Sequence, residues 1–455
     1  MSKKVEEGNG NEKGTIVIKN VNIIPMTTEQ TTIESATVVI NGRKIISINE
    51  TVPSGAKIID GTGKWLIPGL MDMHVHTNAD INLRGNSPTQ GATYFMDTQD
   101  VMTTHIANGV TTIFELDGRV AHFAQRNEIA KGKVIGPRMA IAPVLNGGDS
   151  KNGGRIVNNA PDARQAVRSA KAEGYNFIKV YSHLNVESFK AIVEEAEEQG
   201  LKIVGHIPMV FEGKTEEAFI PNFGLVAHAE EFAKQTNNKT KEEAEYFARM
   251  AKKNNTWVTP NLIAMVRIGE QARSLEGIRS MESLKYVPAI LQDKWLTANQ
   301  YNKNTSPQFV AYTDTLIAFH KELVKAFKKE GVPMVAGTDA GTSGIVTGFS
   351  LHDELALLVD AGMTNEETLL AATRLPSEWL GIDKKVGTVE KDKYADLVLL
   401  NSNPLEDIRN TRDIHGVFVN GQWLNKTKIN DMLSDLANRN NELLGKHKWS
   451  KRREY

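Results

Sequence analysis

The sequence predicts an α/β fold: a (β/α)8 TIM barrel carrying a small β-sandwich domain built from both chain ends. Three observations lead there. Short apolar runs alternate with longer amphipathic segments about eight times through the middle of the chain. Both ends are rich in short β-type runs broken by turn residues. Several of the central runs finish on histidine, lysine or aspartate, and strand C-termini are where such a barrel sets its functional side chains.

Taken in order, residues 1–14 are charged and Gly/Asn-rich, with too little apolar surface to pack, and read as a disordered tail. Residues 15–65 read as the first part of the sandwich, with runs at 15–18, 36–40 and 44–48 and a hairpin signal at Asn41-Gly42. The barrel is expected over 66–385, opening with the strand Leu66 to Thr77. Its further strands are expected at 111–116, 139–144, 177–181, 202–207, 225–229, 257–262 and 333–338. The helix after Asn185 shows the period clearly, with Phe189, Ile192, Val193 and Ala196 on one face and Gly200 as its stop. The stretch from 265 to 330 is too long for one crossover and is expected to hold an extra helical excursion. Thr364-Asn365-Glu366-Glu367 has capping-box form and starts a helix running toward Trp379. Strands return at 386–389, 396–400 and 417–424, completing the sandwich over 386–427, and 428–455 reads as an amphipathic helix with a basic tail.

Composition narrows the function. The 54 Lys and Arg balance 55 Asp and Glu, so no global field points to nucleic acid or an anionic membrane. With no cysteine, any metal site must use imidazole, carboxylate or a modified lysine. No run of 18 or more apolar residues appears, and the start is not a signal peptide. The chain as written reads as cytoplasmic, with export after removal of a signal as the alternative.

The chemistry starts at His74 and His76. In an extended strand residues i and i+2 face the same way, so both imidazoles project from one strand end and invite a metal. Lys179, His206, His228 and Asp339 end other apolar runs. A lysine in an apolar strand is driven toward its neutral amine, the form that takes up carbon dioxide as a carbamate, whose two oxygens bridge two cations. Tyr181 and His183 follow Lys179 at i+2 and i+4 and lean to the same site if the strand persists, Tyr181 as a donor to an oxyanion. His352 is a candidate catalytic or substrate-binding residue, and Arg155 a candidate clamp for a substrate carboxylate, in a Gly-rich loop running from Asn146 to Arg155. His105, His122, His320, His415 and His447 lie in helical or terminal contexts and are assigned no role.

The segments Gly69-Leu70-Met71-Asp72-Met73-His74-Val75-His76, Ile178-Lys179-Val180, Gly205-His206-Ile207-Pro208, Ala227-His228 and Gly337-Thr338-Asp339-Ala340-Gly341 resemble the ordered metal-site motifs of the amidohydrolase superfamily. The nearer likeness is to its imidazolonepropionase-related branch of metal-dependent dipeptidases and amidases, prolidase-type and ochratoxin-hydrolysing members included. Lys391-Asp392-Lys393 departs from the Gly-Lys pair usual before the C-terminal Ala-Asp-Leu-Val segment. The resemblance implies two divalent ions, zinc above all. His74, His76 and Asp339 would hold one, His206 and His228 the other, and Lys179, as N6-carboxylysine, would bridge them. It also implies a metal-dependent hydrolase in which a bridging hydroxide attacks an amide carbonyl and Asp339 passes the proton to the leaving nitrogen. The expected partners are a small or dipeptide-like substrate and further copies of the chain. Rival readings are a mononuclear cyclic-amide hydrolase or deaminase of the same superfamily, and a lactonase or esterase. A non-catalytic barrel fits poorly, because such relatives are expected to lose ligands and all six are present.

Overall fold

In the computed structural model the described residues are 14–29, 31–77, 80–81, 94–148, 154–452 and 454. The tail expected at 1–14 lies almost wholly outside them, as does the centre of the Gly-rich loop at 149–153. The two β-rich ends share one mixed sheet. Thr15–Ile23, Ile33–Asn41, Lys44–Ile48, Lys57–Asp60 and Trp65–Pro68 join Leu397–Leu400, Ile414–Val419 and Gln422–Asn425. The seam is antiparallel, with Ile67 opposite Val398 and Leu66 opposite Leu399. Alternate side chains bury a common apolar cluster that includes Ile18, Val38, Leu66, Leu397, Leu399 and Phe418. The run 386–389, expected as a strand, is irregular: Val386 and Val389 are buried, but the Val389 N–H is taken by Pro25 O rather than by a ladder.

The central strands are parallel. Leu70–Val75, Val110–Glu115 and Arg138–Ile141 pair in one group, and Val144–Asn146, Phe177–Val180, Lys202–Gly205, Phe223–Ala227 and Trp257–Thr259 in another. The single strand expected at 139–144 is two strands separated at Ala142 and Pro143, a proline having no N–H for a ladder. Hydrogen bonds still cross the bend, from Ala142 N to Glu115 O and from Lys179 N to Pro143 O, both 2.9 Å. Beyond Trp257–Thr259 the bonding passes to 333–336, through Val335 N to Val258 O (3.0 Å), and back to the first strand through Met73 N to Ala336 O (2.9 Å). The strand expected at 333–338 is therefore only a set of isolated bridges, at Met334 and Ala340. Its irregularity follows from crowding. A Cβ on Gly337 would stand 2.6 Å from Thr259 Oγ1 and 3.0 Å from His74 N, so the backbone passes where a side chain has no room.

Helices fill the intervals as the periodicity predicts. Val186–Glu198 is capped by Asn185, whose side chain accepts from Ser188 N, and buries Phe189, Ile192, Val193 and Ala196. The excursion comprises Leu262–Arg273, Glu276–Arg279, Ala289–Thr297, Gln300–Lys303 and the long Pro307–Glu330. The capping box at Thr364 and Glu367 forms, but the helix beyond it is two helices, Asn365–Ala371 and Arg374–Leu380. The break releases the carbonyls of Ala371 and Ala372 to accept from Ala336 N (2.7 Å) and Met71 N (2.8 Å), which ties this corner to the strands. The C-terminal helix Lys426–Leu443 is anchored where Arg439 pairs with Asp100. No helix among the described residues is long and apolar enough to cross a membrane.

Glu354, wholly buried on Phe349–Asp360, accepts from Leu262 N (3.0 Å) and Ile263 N (2.8 Å) at the start of the excursion. Burial pushes its carboxyl up to about 8, against those two bonds, which lower it. The folded chain therefore holds a proton that the unfolded chain has released, and this group's contribution to stability falls as pH rises from about 4.5 to about 8. The limiting slope is about 1.4 kcal/mol per pH unit. Glu354→Gln, which cannot ionise, is expected to remove that slope from urea midpoints measured between those pH values.

Candidate metal centre

Parallel strands present their C-terminal ends on one side, and there the expected residues meet. His74 lies on Leu70–Val75 and His76 just past its end. Lys179 lies in Phe177–Val180, His206 follows Lys202–Gly205, and His228 caps Ala229–Ala233 directly after Phe223–Ala227. Gly205, at φ +139°, permits the close approach: a Cβ there would come within 2.9 Å of Val180 N. The Nε2 atoms of His74 and His76 converge on one oxygen, Asp339 Oδ1, at 3.2 and 2.9 Å. Lys179 Nζ is 3.2 Å from His74 Nε2. The rings of His74 and His228 stack at 5.7 Å, and those of His206 and His228 meet edge to face at 5.1 Å.

Electrostatics sort these groups into chemical states. Burial holds His74 and His206 well below the ordinary histidine value and lowers His228 to about 4, so all three are neutral imidazoles with a lone pair to give. Burial likewise lowers Lys179, which is 2% exposed and has no carboxylate within ion-pair distance among the described residues. Asp339 is driven the other way: desolvation raises it, but His74 and His76 outweigh that and keep it ionised. Its backbone is in the left-handed region at φ +62°, held by Asp339 N to His74 O at 2.8 Å. His76 is disfavoured as a cation by burial, yet its contacts with Asp339 and Glu115 raise it to about 9.

The donor set suits divalent ions. Ligand atoms of His74, His76 and Asp339 lie within 4.8 Å of one another, as do those of His206, His228 and Glu231. Donors about 2.0–2.1 Å from a tetrahedral zinc stand about 3.3 Å apart, close to the spacings around Asp339 Oδ1. Glu231 was not foreseen. It is fully buried, 3.2 Å from His206 Nδ1 and 2.7 Å from Lys234 Nζ, and Ser182 Oγ reaches the same His206 nitrogen at 2.7 Å. The only sequence signal was a second glutamate three residues after His228, in a segment otherwise reading as the start of a helix.

The remaining candidates divide. Tyr181 stacks on His206 at 4.0 Å and faces Lys179 Nζ across 5.5 Å. Burial raises its phenol, so it stays protonated. His183 is exposed, with its backbone N–H given to Asn146 Oδ1 (3.1 Å), because the strand ends at Val180 and the chain turns there. Arg155 lies near Glu173 at 3.8 Å, both about half exposed, beside Tyr175 in a separate depression. His352 corrects the sequence reading: it is 1% exposed inside Phe349–Asp360, and its Nδ1 engages Thr411 Oγ1 at 2.8 Å against the 408–412 segment. It is a packing residue, because the helical period turns it from the strand ends to the neighbouring 3₁₀ turn.

A model of the amidohydrolase family matches residues 65–424. An imidazolonepropionase of Thermoplasma acidophilum is 20% identical over 388 residues, 82% of this chain and 85% of that protein. Stronger but shorter likenesses include a 5-methylthioadenosine/S-adenosylhomocysteine deaminase of Thermodesulfovibrio yellowstonii, 34% identical over 112 residues; these cover 20% of this chain and 26% of the deaminase. Among solved structures, a bottromycin amidohydrolase superposes with a TM-score of 0.72 at 21% identity, covering 94% of this chain and 90% of that one. A Xaa-Pro dipeptidase with bound methionine superposes at 0.67 and 19% identity, covering 90% and 100%.

Behind the site, the fully buried Asp72 accepts from Thr338 N (3.0 Å), Thr338 Oγ1 (2.7 Å) and His74 N (3.2 Å). Asp72→Ala strands these donors away from water and is expected to cost about 3 kcal/mol, read as a fall in urea-unfolding free energy. Asp72→Asn, which keeps an acceptor oxygen, is expected to cost less.

Proposed function

The chain belongs to the amidohydrolase family, and from that premise we propose that it hydrolyses an amide bond, in a dipeptide or N-acyl amino acid, with two divalent cations. The observation that carries this reading is the meeting of His74, His76 and Asp339 with Lys179 beside them, opposite the pair His206 and His228. The hydrogen-bonded return from Trp257–Thr259 to Leu70–Val75 supports the (β/α)8 barrel that would gather these six residues from five strand ends in this way. Fold likeness to a Xaa-Pro dipeptidase and a bottromycin amidohydrolase leans toward amide substrates. Matches to deaminases keep ammonia release as the second outcome to be measured.

In this reading His74, His76 and Asp339 would hold one ion, and His206 and His228 the other. Lys179 would complete the set as its carbamate, which a buried amine with no carboxylate within ion-pair distance among the described residues is suited to form. Zinc in such a site lowers the pKa of water toward about 7 and polarises a carbonyl. The chain's own residues do the rest. Asp339, kept ionised, accepts the proton of the attacking water and returns it to the departing nitrogen, so one carboxylate serves as base and then acid. Tyr181, protonated beside His206, donates to the oxygen on which negative charge develops. Glu231 and Ser182 fix the ring of His206 through Nδ1.

The test is metal analysis together with turnover of Xaa-Pro, Xaa-hydrophobic, Xaa-Arg and N-acyl substrates. Two zinc ions per chain are expected, with an intact mass higher by one carbon dioxide that Lys179→Ala abolishes. Asp339→Asn is expected to lower kcat by about 10²–10⁴-fold. One ion per chain, no mass increment, and ammonia released from cyclic substrates in place of amide cleavage would replace this reading with the deaminase one.

A further inference from the structure

We propose that Glu115 is a positioning residue that fixes the tautomer of His76. The inference rests on the reading of His76 as a metal ligand and goes beyond it by assigning a residue outside the ligand set. Glu115 ends Val110–Glu115 with its backbone opposite Val75, and its carboxylate is 0% exposed. Donors approach both oxygens. Thr77 gives its backbone N–H (2.6 Å) and its hydroxyl (2.8 Å) to Oε2, and Asp117 N (2.8 Å) gives to Oε1.

His122 faces the same carboxylate without a hydrogen bond to it. Its Nδ1 accepts from Arg119 N at 2.9 Å, so in the neutral ring the proton is on Nε2, which lies 3.5 Å from Glu115 Oε2. This carboxylate, with three donors already turned to it, stands 3.6 Å from His76 Nδ1, and that nitrogen has no hydrogen-bond partner among the described residues. The proton of a neutral His76 is therefore drawn to Nδ1. The lone pair is left on Nε2, the atom that points at Asp339 Oδ1 from 2.9 Å. Without Glu115 the other tautomer would set an N–H where the ion must bind.

Glu115→Gln tests this, because an amide removes the charge and must set its NH2 group against one of the donors now facing the carboxylate. Zinc binding is measured by titration against a chelator, on protein first stripped of metal, beside Glu115→Asp and Thr77→Val. In Glu115→Gln the affinity of one of the two zinc sites is expected to weaken by about 10–100-fold. Glu115→Asp, which keeps the charge, is expected to recover part of the loss. Thr77→Val removes a bond to the same carboxylate but not the charge facing His76, and is expected to leave both affinities within about twofold of the parent. Urea midpoints of the stripped proteins separate misfolding from lost affinity. A Glu115→Gln isotherm that superimposes on the parent's, or an equal loss in Thr77→Val, overturns the positioning role while the metal reading stands. A parent that takes up no zinc overturns both.

Discussion

The Asp339 side of the site turns on one buried carboxylate, Asp72, that binds two distant pieces of chain together. Asp72 precedes His74 by two residues on the same strand, so the two share a face. It holds the backbone and hydroxyl of Thr338, whose neighbour is Asp339. The segment around Thr338 makes only isolated bridges, too few to set its register by a ladder. Asp72 joins the backbone bonds from Met73 N to Ala336 O, Asp339 N to His74 O and His76 N to Ala340 O in placing two histidines and an aspartate from positions more than 260 residues apart. The cost is visible in its own chemistry: burial pushes Asp72 up to about 7 although three donors pull it down.

Much of this was legible in the sequence because strand ends announce themselves. An apolar run finishing on His, Lys or Asp needs only the two-residue alternation and the parallel arrangement to become a converging set, and all six such residues lie at the same strand ends. What stayed hidden was decided by tertiary contact. The bend at Pro143, the irregular path around Gly337 and the helix broken at Ala372 each follow from which backbone groups a neighbour claims. His352 looked like a site residue by its proximity to the last strand, but the helical period aims it at Thr411. Glu115 and Glu231 looked like ordinary strand-end and helix-start acids. Only the fold shows each facing an imidazole nitrogen.

These two glutamates show how the site divides its charge. Glu115 is surrounded by N–H and O–H donors and keeps its negative charge at full strength beside His76. Glu231 is pushed up to about 7 by burial, relieved by Lys234, which reaches both Glu231 and Glu230. The half of the site around Asp339 thus carries two carboxylates, Asp339 and Glu115, with His76 raised to about 9 between them, whereas the half around His206 and His228 has its acids compensated by a lysine.

That asymmetry fits the division of labour that the proposed mechanism asks of the two halves. A group that must accept a proton and give it back works best where its conjugate imidazoles are polarised toward it, and Asp339 sits between two such rings with Glu115 behind one of them. A surface that must receive the developing charge of a substrate oxygen works best where no uncompensated carboxylate repels it. In the proposed mechanism that surface is the one with the neutral rings of His206 and His228, the protonated phenol of Tyr181 and the cation of Lys234. The same burial that makes each ionisable group costly therefore also sorts them, negative charge gathering where a proton is handled and neutral or positive groups where an oxyanion would form.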